Sequence, residues 1–295
     1  MANRQEHRQE VDRFLQKHFP IHRWIFSLPP GSGMETYFVQ ANEQRYFVKV
    51  GAPVEHYLVM AEIGLTPPIL ACGQLETGPS VIVQSLITGH KPSRRDYQER
   101  LERVATIVNT MHQHPRVREI LPAPASALHK EAGLRALNSL RERWNLHRAD
   151  VPKVAEFVEN SLDELMQQIN QFSSGGLVAS HNDICNANWL FASDGRIYLI
   201  DYESMSMDDP AVDLGALLWW YYPPELRGRF LEIAGYPYDR EFKFRMRVRM
   251  ALHSLSITLP REGSFDSFNP DGYEKALVDL RAILDRRENP QGYDV

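Results

Sequence analysis

Two apolar runs, residues 189–191 and 197–200, flank Asp194 and Gly195. An Asp-Gly step between such runs is among the strongest short-range signals of a β-hairpin, because glycine accepts the left-handed backbone that a tight reversal needs. The chain therefore reverses here, and the reversal brings its flanks together. With the turn centred on Asp194 and Gly195, Asn188 falls opposite Asp201 at the open end of the hairpin. Asp183 lies in the loop just before it.

An amide oxygen facing a carboxylate supplies hard oxygen ligands. Mg²⁺ takes a few such ligands from a protein and completes its shell with water and substrate phosphates. A separate aspartate slightly upstream is suited to orient a hydroxyl and accept its proton. This is the division of labour in kinase-type phosphoryl transfer. Each residue alone is equally a turn former, since Asp and Asn satisfy loop backbones throughout proteins. The weight rests on the joint spacing, with His181 two residues ahead of Asp183.

The pattern His-x-Asp-x-x-x-x-Asn from His181 to Asn188, followed by Ile200, Asp201 and Glu203, resembles the aminoglycoside phosphotransferase and choline kinase superfamily. These are small-molecule kinases with a protein-kinase-like fold. The similarity to protein kinases themselves is weaker: their His-Arg-Asp and Asp-Phe-Gly are here His181, Asn182, Asp183 and Asp201, Tyr202, Glu203. The resemblance spans residues 28–220. It implies ATP as phosphoryl donor with Mg²⁺, Asp183 as the base, and Asn188 and Asp201 as metal ligands. It also implies a supporting role for His181 and a structural one for Asp213, which braces the catalytic loop.

Composition sets the outer bounds. With 295 residues, 43% hydrophobic and 24% charged, the chain can build one large domain or two modest ones. A net charge of −5 without a basic tract argues against a nucleic-acid partner. Cys72 and Cys185 are the only cysteines, too few for a disulfide framework, which points to a reducing, cytoplasmic setting. The first residues lack an apolar signal core, and no run approaches the roughly 18 apolar residues that span a bilayer. No membrane partner is expected.

Along the chain, residues 11–18 have helical spacing. Residues 37–40 and 45–50 read as a hairpin, 54–63 as a helix, and 69–72 and 80–84 as strands. Residues 94–114 follow as a long amphipathic helix, 115–127 as loop, and 128–146 and 154–172 as helices. After the hairpin, residues 212–222, 224–234, 240–259 and 273–287 are mainly helical. The expected architecture is α+β: a nucleotide-binding lobe of antiparallel strands over residues 1–84, a connector over 85–92, and a helical lobe over 93–295 with the catalytic loop and acceptor site. A two-lobed, protein-kinase-like arrangement is what the resemblance implies.

The small lobe must then supply groups for the nucleotide. Gly31, Ser32 and Gly33 precede a strand, where glycines let backbone N–H groups approach phosphate oxygens. Lys49 sits inside an apolar strand. It reads either as an edge-strand charge that discourages aggregation or, beside the glycine loop, as the phosphate-binding lysine. Such a lysine needs a carboxylate partner. Glu55 and Glu62 on the next helix are the candidates, and the family pattern favours Glu55. By resemblance alone, the segment from Gln84 through Leu86 to Ile87 binds the adenine edge.

For the acceptor, Glu203 follows Asp201 by two residues and projects to the same side in extended backbone. Trp219 and Trp220, with Tyr221 and Tyr222, offer ring faces that hold a quaternary ammonium or thiazolium. Lys243, Arg245, Arg247 and Arg249 argue against a uniformly acidic helical face of the kind an aminoglycoside would want. The expected small-molecule acceptor is thus cationic and compact, in the manner of choline, ethanolamine or thiamine. An aminoglycoside or other small-molecule kinase is one alternative. A nucleotide-binding, non-catalytic kinase-fold protein is the other, although Lys49, Asp183, Asn188 and Asp201 are all present.

Overall fold

The computed structural model describes residues 2–19, 23–29, 35–173, 175–257, 259–260 and 268–293. In chain order the elements are α1 (Ala2–His18), β1 (Ile25–Ser27), β2 (Thr36–Ala41), β3 (Gln44–Val50), α2 (Val54–Glu62), β4 (Ile69–Gln74), β5 (Ser80–Ser85), β6 (Gly89–His90), α3 (Arg94–Glu99), α4 (Leu101–Gln113), α5 (Pro115–Glu119), α6 (His129–His147) and α7 (Ala155–Ile169). They continue with β7 (Val178–Ser180), β8 (Trp189–Ala192), β9 (Ile197–Leu199), β10 (Ser206–Asp208), α8 (Ala211–Tyr221), α9 (Pro224–Ala234), α10 (Arg240–Ser256) and α11 (Pro270–Leu284). The chain divides into two compact units. One holds Met1–His90 and Leu190–Glu203; the other holds Lys91–Trp189 and Ser204–Val295. The hairpin after Trp189 therefore belongs with the N-terminal residues and not with the 93–295 segment assigned from sequence.

The first unit is built on an antiparallel sheet of order β1-β2-β3-β5-β4. Alternation along β2 and β3 turns Tyr37, Val39, Val48 and Val50 inward, where they pack with Val11 and Leu15 of α1. That helix begins at Ala2, well ahead of the expected residue 11. Its first half is polar and carries no apolar period, yet Arg, Gln and Glu are good helix formers. The returning segment joins this unit through β6 and β8, with Gly89 opposite Ala192 and His90 opposite Phe191.

The second unit is mainly helical around the short β7-β10 ladder. The expected helix over 94–114 is broken at Arg100 into α3 and α4. Ser93 caps α3 in a capping box with Asp96. Residues 115–127 contain the single-turn α5, started by Pro115. In the core, α8 lies against α10 closely enough that a Cβ on Gly215 would meet Met246 O at 2.7 Å. Only glycine permits that approach.

Candidate active site

The expected Asp194–Gly195 turn forms, with Gly195 at φ 84°. The loop is one residue longer than a two-residue turn: the Ala192 N–H donates to Arg196 O at 2.8 Å and the Gly195 N–H to Ala192 O at 2.9 Å. This is the three-residue hairpin loop with glycine in its left-handed position. Ser193 has joined the turn, the register shifts by one, and the pairing of residue 188 with 201 inferred from sequence does not follow from it.

In the first unit, Lys49 lies on the central strand β3, paired with Thr36 and Ile82, so it is not an edge charge. Its side chain is buried. The ammonium contacts the Asp201 carboxylate, lies 2.5 Å from Glu203 Oε1, and donates to the Tyr57 hydroxyl at 2.9 Å. Tyr57 in turn donates to Glu203 Oε1 at 3.0 Å. A buried cation is tolerable only with such partners. Burial first, and then the hydrogen bond shared with Asp201, pushes the Glu203 carboxyl up to about 7 against the lowering pull of Lys49. Burial, followed by the Glu203 and Asp201 charges, pushes the Tyr57 phenol well up. Asp201 has φ 75°, a left-handed backbone that is uncommon outside glycine and concentrates at functional sites.

Lys49's acidic partners correct the expectation for Glu55. Glu55 is exposed on α2, whereas Tyr57, Val59 and Met60 face inward. Two residues correspond to about 200° of helical rotation, so a helix that buries Tyr57 turns Glu55 outward. That face was readable from sequence, but the carboxylate that replaces Glu55, that of Glu203, lies far along the chain from Lys49. Gln84 is buried, with its amide donating to Pro67 O at 2.6 Å. The Leu86 N–H is taken by Arg45 O at 3.0 Å and is not free to donate to an adenine. Gly31, Ser32 and Gly33 lie outside the described residues.

In the second unit, Asp213 organises the loop after β7. It accepts the backbone N–H of His181 at 2.7 Å and that of Asn182 at 2.9 Å. His112 Nε2 is 3.0 Å from it and must be the protonated nitrogen, since a carboxylate only accepts. Burial pulls the Asp213 carboxyl up, but the hydrogen bonds from His112 and the loop outweigh it and hold the group below the usual carboxylate range. Asn182, at φ 62°, donates through its amide to Ser204 O and Ser206 Oγ. The loop is thereby fixed on the N-terminal side of Asp183. The Asp183 carboxylate itself makes no hydrogen bond or ion pair among the described residues, while its carbonyl accepts from Asn188 Nδ2 at 2.7 Å. Asn188 is buried, and its Oδ1 is left without a partner among the described residues. His112 carried no spacing signal in the sequence.

The metal question turns on donor chemistry. No cluster of three or more His, Cys, Asp or Glu suited to a metal occurs among the described residues. The oxygen of Asn188 and the carboxylate of Asp201 are each the hard donor type that Mg²⁺ takes in small number beside substrate phosphates.

The aromatic residues do not form an expected cation cage. Tyr221 stacks on Tyr97 at 4.3 Å, and the Tyr222 hydroxyl donates to Tyr97 O at 3.0 Å. Trp220 packs edge-on against His253 at 5.0 Å, with its indole N–H directed 3.4 Å from Asp279 Oδ2. Trp219 alone lines a cavity, of about 700 Å³, whose charged wall is mostly Arg and Lys. No helix among the described residues is long and apolar enough to cross a membrane.

Comparison with known proteins agrees with this arrangement. The sequence profile of the phosphotransferase enzyme family matches residues 27–245. The choline kinase LicA from Streptococcus pneumoniae superposes with a TM-score of 0.67 at 18% identity, covering 94% of this chain and 99% of that one. A choline/ethanolamine kinase family protein from Mesorhizobium loti gives 0.66 at 15% identity over 96% of each chain. Spectinomycin phosphotransferase, bound to ADP and spectinomycin, gives 0.65 at 12% identity over 92% of this chain and 93% of that one. These likenesses establish a shared kinase-like α+β fold, and the profile match across most of the chain establishes descent: the protein belongs to the phosphotransferase enzyme family, whose members transfer phosphoryl to a hydroxyl acceptor.

Proposed function

We propose that the protein transfers the γ-phosphoryl group of ATP to the hydroxyl of a small molecule. The observation that carries this reading is the Asp183 loop: its backbone is pinned by Asp213 and Asn188, yet the Asp183 carboxylate is unengaged. Such a group is held ready to accept a proton without having to break a bond first. In this reading the acceptor oxygen attacks the γ-phosphorus, its proton passes to Asp183, and the bond to the β-phosphate oxygen breaks to release ADP. Lys49, steadied by Glu203 and Tyr57, neutralises phosphate charge. Asn188 and Asp201 are the residues assigned to Mg²⁺, which when bound supplies charge neutralisation at the phosphates. The ADP held by the spectinomycin enzyme supports an adenine nucleotide as donor.

For the acceptor, the choline and choline/ethanolamine kinases among similar folds support a compact cationic alcohol. Trp219 and Trp220 lend it no support, because one faces Arg and Lys and the other is packed against His253. The test is coupled ATP consumption with Mg²⁺ over choline, ethanolamine, thiamine, methylthioribose and several aminoglycosides, with Asp183→Asn alongside. The expected result is turnover on one acceptor, reduced about 10²–10⁴-fold by the substitution, the usual worth of a general base. Turnover that survives in Asp183→Asn would sink the assignment of the base. Nucleotide binding with no turnover on the panel would sink the cationic-alcohol reading.

A further inference from the structure

The cavity beside Trp219 is lined by residues of the helical unit alone, from α8, α9, α10, α11 and the segments next to them. None of Asp183, Asn188 or Asp213 lines it. Six cations border it: Arg227, Arg240, Lys243, Arg247, Arg286 and Arg287. Among the described residues only two carboxylates do, and both are already taken. Glu241 accepts from Arg245 at 2.5 Å and from Ser173 at 2.8 Å, and Glu288 is held by Arg227 at 2.6 Å. Asp285 engages Arg287 at 2.8 Å. Arg240, Arg247 and Arg286 make no hydrogen bond or ion pair among the described residues.

Helix physics does not account for this placement. Arg240 and Lys243 stand in and just beyond the first turn of α10, the positive end of the helix dipole, where cations are disfavoured. Arg286 sits just past α11 at φ 56°, where the Arg287 N–H reaches back to Ala282 O at 2.8 Å and the Arg286 N–H to Ile283 O at 3.1 Å. This is the helix-ending motif whose left-handed position normally holds glycine. An arginine there is held in a strained backbone, the kind of outlier that concentrates at functional positions. Burial, together with the facing charge of Arg286, lowers the affinity of the Arg247 guanidinium for its proton, with only Glu164 acting the other way.

We propose that this cavity binds a small phosphomonoester carrying a ring or apolar portion, at a site separate from the residues assigned to phosphoryl transfer. The planar guanidinium groups of Arg240, Arg247 and Arg286 suit the several oxygens of a phosphate dianion. Trp219 and Phe244 offer apolar surface for the rest. The volume lies in the range of small-molecule sites. The proposal does not rest on the acceptor reading, since it is read by binding and not by turnover.

The experiment is calorimetric titration of the full-length protein with phenyl phosphate, with inorganic phosphate and phenol as comparison probes, in the presence and absence of saturating ATP. The variants are Arg247→Gln/Arg286→Gln, Arg240→Gln alone, and, as control, Arg95→Gln at an exposed residue that does not line the cavity. The expected result is saturable binding of phenyl phosphate that persists with ATP, fails for phenol, weakens about tenfold or more in the double variant and is unchanged in Arg95→Gln. If the double variant loses its cooperative thermal transition, Arg240→Gln carries the same comparison from an exposed position. Displacement of phenyl phosphate by the alcohol that the enzyme turns over would make the cavity the acceptor or product site and overturn the proposal of a separate one. Persistence in its presence would assign it to a separate effector. Absence of saturable binding, binding abolished by ATP, or binding indifferent to all the arginine substitutions overturns the proposal.

Discussion

At the scale of single residues, the decisive contact is the one made by Lys49. A lysine nearly sealed from solvent on a central strand persists because Asp201, Glu203 and the Tyr57 hydroxyl surround its ammonium. Removing one partner of such a set leaves charge without full compensation, and a hydrogen bond to a charged group contributes about 1.5–3 kcal/mol. Glu203→Gln is therefore expected to lower kcat/KM about 10–100-fold, since Lys49 loses the carboxylate that orients it. Glu55→Gln, on the exposed face of α2, should stay within about 0.5 kcal/mol of the parent in both stability and rate. Steady-state kinetics on the two variants separate the assignments. Equal losses in both, or a loss confined to Glu55→Gln, would restore the partner read from sequence. The sequence could mark Lys49 because a lysine amid Tyr46, Phe47, Val48 and Val50 is chemically out of place. It could not mark the partner, because strand and helix periodicities report only neighbours a few positions away.

At the scale of elements, Asp213 at the start of α8 ties α4, through His112, to the loop after β7. Its carboxyl is held below the usual range in the folded protein. A group with a depressed folded pKa adds stability that is fully present above its unfolded pKa and is lost as pH falls toward the folded one. The stability gap between the parent and Asp213→Asn should accordingly be widest near neutrality and close on acidification below the ordinary carboxylate range. Denaturant unfolding at a series of pH values measures it, and a gap that stays constant with pH would remove Asp213's ionised form from the account. The hairpin shows how element-level reading succeeds and slips. Asp194 and Gly195 announce a reversal through their own backbone preferences. Whether Ser193 joins the loop depends on strand twist and packing, and that single residue moves every cross-strand pair by one. Helix faces were legible where apolar residues recur, as in α4, and silent where the face is polar, as in the first half of α1.

At the scale of the whole molecule, the two units are not consecutive in sequence. The first is closed by a segment that arrives only after the chain has passed through half of the second. That segment supplies Asp201 and Glu203 to Lys49. It also delivers the Leu199 N–H to Leu65 O at 2.9 Å and the Ser193 N–H to Thr88 O at 2.9 Å. A fragment of residues 1–90 is thus expected to lack a cooperative thermal transition by circular dichroism, whereas the same fragment joined through a flexible linker to residues 190–203 should regain one. Cooperative unfolding of the short fragment alone, at the stability of the joined one, would contradict this. The same interruption has a consequence in time. During synthesis at about 5–20 residues per second, the N-terminal sheet emerges first, but its unit waits on the order of ten seconds for the hairpin and carboxylates that complete it. Over that interval Lys49 has no acidic partner from the returning segment, and the unit is open to chaperones and proteases. Changes in translation speed between codons 91 and 203 should therefore alter the yield of a unit whose own first ninety codons are untouched.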